Sequence, residues 1–507
     1  MLSFAVYADG HLAKRVKLSG AYVVGTDDVP LRADIAFDGG VVSCNKRAAG
    51  PAGIALLWPV KGVGEILLET IRVPERAAPY ILQLELVRGR LMRLHAKLED
   101  WGLFDYDGAT DLIAQVDAAR ELLIQALQAE TPAEAAAVAD AALAQAVEAS
   151  EALARVHAEL FLARRVQASG FSRRVFGCAV HMDQPSEASR KRLSGAFDFV
   201  TVPVAWRDIE PTEQTFRWKP LDDWVETLAK ARTPMHGSSL LSFAETDIPD
   251  WLYIWEHDFD TIRDLAFEHV RRVVNRYGQY IQSWTVISGI HANTCFSFTF
   301  EQIMELTRMT AALTKQLCPN GTVVLELVSP WGEYYARNQR TIPPLLYADM
   351  AVQSGVNFDA FGLQLRFGPG VDGMYVRDMF QISALLDQFL KLGKPLHVTA
   401  VEVPSDVRVS GAGGDASVAA LDGGVWRSPW SEQIQADWLR QFADIALSKP
   451  FVESISWRCL SDHQRQTVPN GGLLRSDLAP KPAYKLMTDL RANVHGKNKS
   501  AGRSAPA

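Results

Sequence analysis

Ala360-Phe361-Gly362-Leu363-Gln364-Leu365-Arg366-Phe367, the stretch 376–392 and Leu396-His397-Val398-Thr399-Ala400-Val401-Glu402-Val403 together decide the fold. The outer two pieces are short, mostly apolar runs of strand length. The middle piece, VRDMFQISALLDQFLKL, carries apolar residues three and four apart, as an amphipathic helix does. The same unit recurs on both sides. Further strands are predicted over 175–181, 199–206, 234–242, 284–290, 322–328 and 455–460, and further helices over 221–231, 258–277, 300–316, 343–353 and 431–447. Eight strand–helix alternations over about 315 residues predict an α/β fold, a (β/α)8 TIM barrel spanning 171–492.

Ahead of the barrel the period changes twice. Residues 1–78 hold short alternating apolar runs separated by turns such as Asp38-Gly39-Gly40 and Gly62-Val63-Gly64, the pattern of a small β-rich domain. Residues 79–170 read as an α-helical arm, with helical spacing over 80–98 and 111–128. A third helix opens at Thr131-Pro132-Ala133-Glu134, where Thr131 caps, Pro132 suits the first helical position and Glu134 completes a capping box. Twelve of residues 133–156 are alanine, which puts helix propensity near its maximum. At 1.5 Å per residue this helix runs for roughly 50 Å. The arm is either a device for homo-oligomerisation or a spacer packed on the barrel. Residues 493–507 are small and polar and are expected to form a disordered tail.

Composition excludes several classes. A chain of 507 residues exceeds one ordinary domain, and its 48% hydrophobic and 22% charged residues exclude wholesale disorder. A net charge of −7 with no basic stripe argues against a nucleic-acid partner. No apolar run reaches about 18 residues, so no membrane span is expected. The N-terminus has no basic segment ahead of an apolar one, so no secretion signal is read and the location is left as cytoplasmic or unknown. Five cysteines without a CxxC read as free, mostly buried thiols in a reducing compartment. No HxH or HxxxH pair occurs among the eleven histidines, and His236 and His397 are expected to be satisfied core groups. No metal is expected. The glycine clusters lack the Lys-Ser/Thr of a phosphate loop and no GxSxG elbow occurs, so no cofactor and no esterase chemistry are expected either.

The barrel resembles glycoside hydrolase family 10, the endo-β-1,4-xylanase type, over roughly three fifths of the chain. Trp206-Arg207-Asp208-Ile209-Glu210-Pro211, with Phe216 and Asp222 behind it, resembles the family's second-strand W-x-x-(I)-E-P…F…D. Pro249-Asp250-Trp251-Leu252 resembles its P-x-W-L, and Trp284-Thr285-Val286-Ile287 stands where the family has W-D-V-V-N-E. Asp359-Ala360-Phe361-Gly362-Leu363-Gln364 resembles D-G-I-G-x-Q, Val398-Thr399 lies in the I-T-E-L-D strand, and Pro480-Lys481-Pro482-Ala483-Tyr484 matches the closing P-K-P-A-Y. The resemblance implies a barrel that takes a β-linked polysaccharide or oligosaccharide and cleaves it with retention, using two glutamates about 5–5.5 Å apart.

The departures bear on that chemistry. The resemblance puts Gly289 at the acid/base position and Ala400 at the nucleophile position. The second-strand E-N becomes Thr201-Val202, both histidines of G-H-T-L-V-W-H are absent from 237–243, and Q-x-H becomes Gln364-Leu365-Arg366. Glycine and alanine neither donate a proton nor attack an anomeric carbon, so hydrolysis by the retaining route is not expected. Two other carboxylates are candidates for a relocated catalytic pair. Glu402 lies two residues past Ala400 on the same strand face, and Glu333 follows strand five between aromatics. Glu326, Asp462-His463 and Asp183 are weaker candidates, each with a plain structural alternative. Eleven of the thirteen tryptophans fall between 206 and 457. Trp206, Trp251, Trp331 and Trp457 are candidate stacking platforms for pyranose rings, with Gln364, Arg366 and Asp462 as polar substrate contacts. Trp426 and Trp430 lie in the same kind of position, and the glycine-rich loop over 405–429 is a candidate lid or a plain insertion. Three readings follow: a glycan-binding barrel without hydrolysis, a rewired glycosidase, and a structural or interaction protein whose barrel is scaffold. The last predicts a mouth plugged by apolar side chains.

Overall fold

The computed structural model describes the whole chain except residues 169, 183–185, 194, 408–420, 464–465 and 502–507, and only the backbone of 497–501. Asp183 and the glycine cluster over 411–414 therefore lie outside the described residues.

Eight parallel strands close on themselves. In barrel order they are Phe176–Ala179, Phe199–Val202, Met235–Gly237, Ser283–Ser288, Thr322–Leu327, Ala360–Arg366, Leu396–Glu402 and Val452–Trp457, called strands one to eight below. Strand three closes on strand four through His236↔Ser283 and Gly237↔Trp284, and strand eight returns to strand one through Gly177↔Ser456. Every predicted strand has its counterpart. The run over 199–206 stops early, because Trp206–Ile209 turns into a short helix. Helices wrap the outside, and side chains close their first turns. Asp258 accepts from Thr261 N at 3.1 Å, Ser431 from Ile434 N at 3.2 Å, and Thr299 with Gln302 forms a reciprocal capping box.

The lumen is polar. Where barrels of this kind are mostly filled by branched aliphatic layers, inward positions here carry His, Ser and Thr. His236 bonds Ser283 and Thr285 at 2.8 and 2.9 Å, His397 bonds Ser454 at 2.8 Å, and Thr201 meets Ser456 at 3.4 Å. Both histidines are satisfied core groups, and burial holds them in the neutral form, with pKa values lowered to about 3 and about 4.

The N-terminal strands form two larger sheets, one mixed and one antiparallel, and a two-stranded ribbon of Tyr7–Ala8 and His11–Leu12. Ala33–Asp38 and Val41–Lys46 make a hairpin through Gly39-Gly40, both at positive φ as a two-residue type I′ turn requires. Leu2–Ala5 and Tyr80–Ile81 complete that sheet. The second sheet includes Tyr22–Val24, Gly53–Val60 and Gly64–Glu69, and its edge is completed by Val425–Trp426 from the loop after strand seven. This part of the chain is thus fastened to the barrel. Arg337 donates to Ala21 O at 3.0 Å, and Arg377 donates to the Tyr22 hydroxyl at 3.1 Å.

The arm comprises helices Leu82–Asp100, Thr110–Gln128 and Pro132–Gln167. Thr131 caps the third, accepting from Glu134 N at 3.2 Å. At 36 residues this helix spans about 54 Å. It packs on both other arm helices and on barrel helices Met379–Leu390 and Glu432–Ser448. Alanine lets backbones approach closely, which suits a helix enclosed on several sides. Its Glu151 accepts from Trp426 Nε1 at 3.1 Å and Met379 N at 3.2 Å and pairs with Arg427, tying arm, barrel and the strand-seven loop together. The last helix, Pro482–Ala501, runs into the stretch expected to be a disordered tail. There His495 bonds Asp198 at 2.7 Å, and Asp198 also accepts from Arg491, Val175 N and Phe176 N. That anchor extends the helix where composition alone reads as tail. All five cysteines are free. Among the described residues no helix is long and apolar enough to cross a membrane and no His/Cys/Asp/Glu group is arranged to hold a metal ion.

Candidate functional site

The strand C-termini of such a barrel are where ligands bind, and the alternation of each strand decides which side chains reach that mouth. On strand six Gly362, Gln364 and Arg366 share the inward face. Gln364 pairs in register with Ala400 and Arg366 with Glu402 on strand seven. Thr399 is an extra residue in strand seven relative to strand six, a bulge that brings Ala400 and then Glu402 into the inward row. On strand eight Ser454 and Ser456 face the lumen, so Arg458 continues the inward row and Trp457 faces outward.

The deeper part of the mouth is a closed hydrogen-bond set. Glu326 of strand five accepts from Ser288 Oγ at 2.5 Å and from Gln364 Nε2 at 2.6 Å. Directly after Ser288 comes Gly289 at φ 61°, and a Cβ placed there would lie 3.0 Å from a Val328 methyl. The next turn is core: His291 is fully buried, bonds the Tyr334 hydroxyl at 2.6 Å and accepts from Val328 N at 3.2 Å. Ala400 is 3% exposed and packed.

Above this set stand Glu402, Arg366, Arg458 and Cys459. Glu402 is buried beneath Gly471, whose added Cβ would lie 2.5 Å from Glu402 Oε1, and that oxygen has no hydrogen-bond partner. Burial raises its carboxyl pKa, against the opposing pull of Arg366 and Arg458. Replacing it with glutamine tests that balance. A carboxyl whose folded-state pKa is raised contributes stability that is complete below the unfolded value and lost as pH rises through the folded one. Glu402→Gln should therefore match the parent chain at acidic pH and become the more stable of the two as pH rises toward 8, measured by urea midpoints across that range. A constant difference at all pH values would refute the assignment.

Glu333, the other candidate acid, lies elsewhere. It is 1% exposed, begins the short helix Glu333–Arg337 and forms a salt bridge with fully buried Arg377 at 2.7 Å. Arg377 also reaches Tyr22 of the N-terminal sheets and Gln381, so Glu333 belongs to the junction between those sheets and the barrel. Among the described residues Glu402 and Glu333 share no partner, and they are not brought together as an acid–base pair. Asp462 is held by Lys481 at 2.8 Å and Gly472 N at 2.9 Å, and Lys481 also bonds Ser405 and Asn470 O. Burial lifts the Asp462 carboxyl despite that lysine. The Lys of the P-K-P-A-Y stretch thus closes the loop after strand eight and leaves Asp462 a structural anchor.

The tryptophans differ from expectation too. Trp457 is fully buried and donates to Gly471 O at 2.8 Å. Trp206 is buried, stacks on His269 at 4.7 Å and donates to Glu210 at 3.0 Å. Trp426 and Trp430 are buried as well. Trp251 and Trp331 are only partly buried. Trp251 lies edge-on to Trp206, and Trp331 carries Arg377 over one face at 4.4 Å. Two of the four platforms expected from sequence therefore keep solvent-facing surface. Gln364 and Arg366 do reach the mouth, and Arg458 and Cys459 join them. The strand-eight alternation carried that signal, because Ser454 and Ser456 set the inward row that Arg458 continues.

Residues 164–304 match the family model Glycosyl hydrolase family 10. No curated protein sequence matches the chain. Solved structures with a similar fold include native xylanase 10B from Thermotoga maritima, at 16% identity over 66% of this chain and 99% of that one with a TM-score of 0.48. Another is native xylanase10C from Cellvibrio japonicus, at 14% identity over 63% of this chain and 70% of that one with a TM-score of 0.47. A third is a family 10 structure from Paenibacillus barcinonensis, at 16% identity over 65% and 97% with a TM-score of 0.47. The matched segment carries strands one to four, the first half of the barrel and less than a third of the chain.

Proposed function

We propose that this barrel binds a β-linked oligosaccharide or polysaccharide at its strand C-termini and does not hydrolyse it by the retaining route. One observation carries the reading. Gly289 and Ala400 stand at the positions that the family resemblance assigns to the acid/base and the nucleophile, and Glu326, the acid nearest to them in register, is occupied by Ser288 and Gln364. Retaining cleavage needs two free carboxyl groups flanking one bond. The mouth is polar, which favours a saccharide site over an apolar plug and hence over a purely structural role. We read the N-terminal strands as an accessory to this site, because Ala21 and Tyr22 touch the loops after strands five and six. The third arm helix is enclosed by its own chain, which favours the spacer role over an oligomerisation arm. Five free thiols favour a reducing compartment, such as the cytoplasm.

A second reading is favoured by the state of Glu402, since a buried carboxyl with a raised pKa is what a general acid requires. Both are tested by a glycan array followed by reducing-sugar release on every hit. The proposal expects hits among β-linked glycans without release. Release abolished by Glu402→Gln would install the second reading, and an array without hits would remove both.

A further inference from the structure

Resting on the saccharide reading of the mouth, we infer that Arg366 and Arg458 form a paired anion receptor, so that the preferred ligand is an acidic saccharide bearing a uronate carboxylate. The two residues end the inward rows of strands six and eight and flank Glu402 at the end of strand seven. Each guanidinium has five N–H donors in a planar fork. Among the described residues neither donates a hydrogen bond and neither comes within ion-pair distance of a carboxylate, although both are partly buried. The three buried arginines are all used, and so is Arg427. Arg377 is bonded to Glu333, Arg90 to Asp378, Arg165 to three backbone carbonyls, and Arg427 to Glu148 and Glu151.

The surroundings explain why this pair stays available. Glu402, Glu326 and Asp247 temper its charge from a distance, and each arginine lies in the other's field. Glu326 is turned down toward Ser288 and Gln364, and Glu402 is pinned under Gly471. None of the three presents an oxygen to either fork. Two half-buried cations held near one another without acceptors are stabilised by an anion placed between them. A carboxylate takes the bidentate geometry that guanidinium offers. A neutral β-linked chain lacks the group that would satisfy the pair.

Calorimetric titration of the full chain with a neutral β-1,4-xylo-oligosaccharide, and with the same oligosaccharide carrying a glucuronic acid branch, tests the inference. The acidic ligand should bind about tenfold or more tightly. Arg458→Gln and Arg366→Lys should each erase most of that preference, with melting curves confirming that both fold. The lysine variant keeps the charge and removes only the fork. Equal affinity for the two ligands, or a preference that survives both substitutions, would overturn the inference and leave the saccharide reading standing. Binding of neither ligand would overturn the inference, and with the array result it would count against the saccharide reading as well.

Discussion

Arg377→Met should lower the stability of this protein by about 3–5 kcal/mol, and adding Glu333→Gln should recover most of the loss. Arg377 is fully buried and Glu333 is 1% exposed, with 2.7 Å between Nη2 and Oε1. Removing the cation leaves a carboxylate without compensation in a site closed to water, and that penalty, more than the lost attraction, sets the size of the effect. The pair is incompletely satisfied even now, since among the described residues Glu333 Oε2 and Arg377 Nε have no partner. In the single variant Glu333 can relieve itself by taking up a proton, so the deficit should shrink as pH falls. Urea unfolding of both single variants and the double variant at two pH values closes the cycle. A cost under about 1 kcal/mol, as for an exposed ion pair, would show that the junction is wet.

Acidification should unfold the protein well before its carboxylates are titrated. His157, His236, His269 and His291 are buried with pKa values lowered to about 3 by desolvation. A histidine whose folded-state pKa is depressed favours the folded state above its unfolded pKa and loses that contribution as pH falls below it, starting near 6.5. Each should forfeit about 1–2 kcal/mol by pH 5, and four together approach the whole stability of an ordinary domain. Glu402, Glu333 and Asp462 shift the other way and offset part of the loss. His236 and His397 lie in one lumen, where the charge of one opposes the charge of the other. Urea midpoints should fall steadily from pH 7 to pH 5. A flat or rising profile would mean that these imidazoles are solvated in the folded state.

The barrel was legible in the sequence because strand and helix periods differ and because each unit repeats. Observed strand ends lie within a few residues of those predicted, and the Thr131 cap appears as expected. The tail and the site were less legible, for two physical reasons. His495 takes its partner from Asp198, nearly three hundred residues away, and no local pattern reports that. Residue type and proximity to a strand end mark Trp457 and Glu333 as site residues. What decides their roles is which way they face. The inward serines 454 and 456 turn Trp457 to the helix shell, and Arg377 draws Glu333 to the N-terminal sheets. Arg458 was in plain view, one residue past a conspicuous tryptophan.

Proton NMR of xylohexaose incubated with the purified chain reads binding and bond cleavage in one tube. Binding without cleavage predicts broadened ligand signals and an anomeric region unchanged over days. New reducing-end signals that build up first as the β anomer, and that persist after further purification, would contradict it.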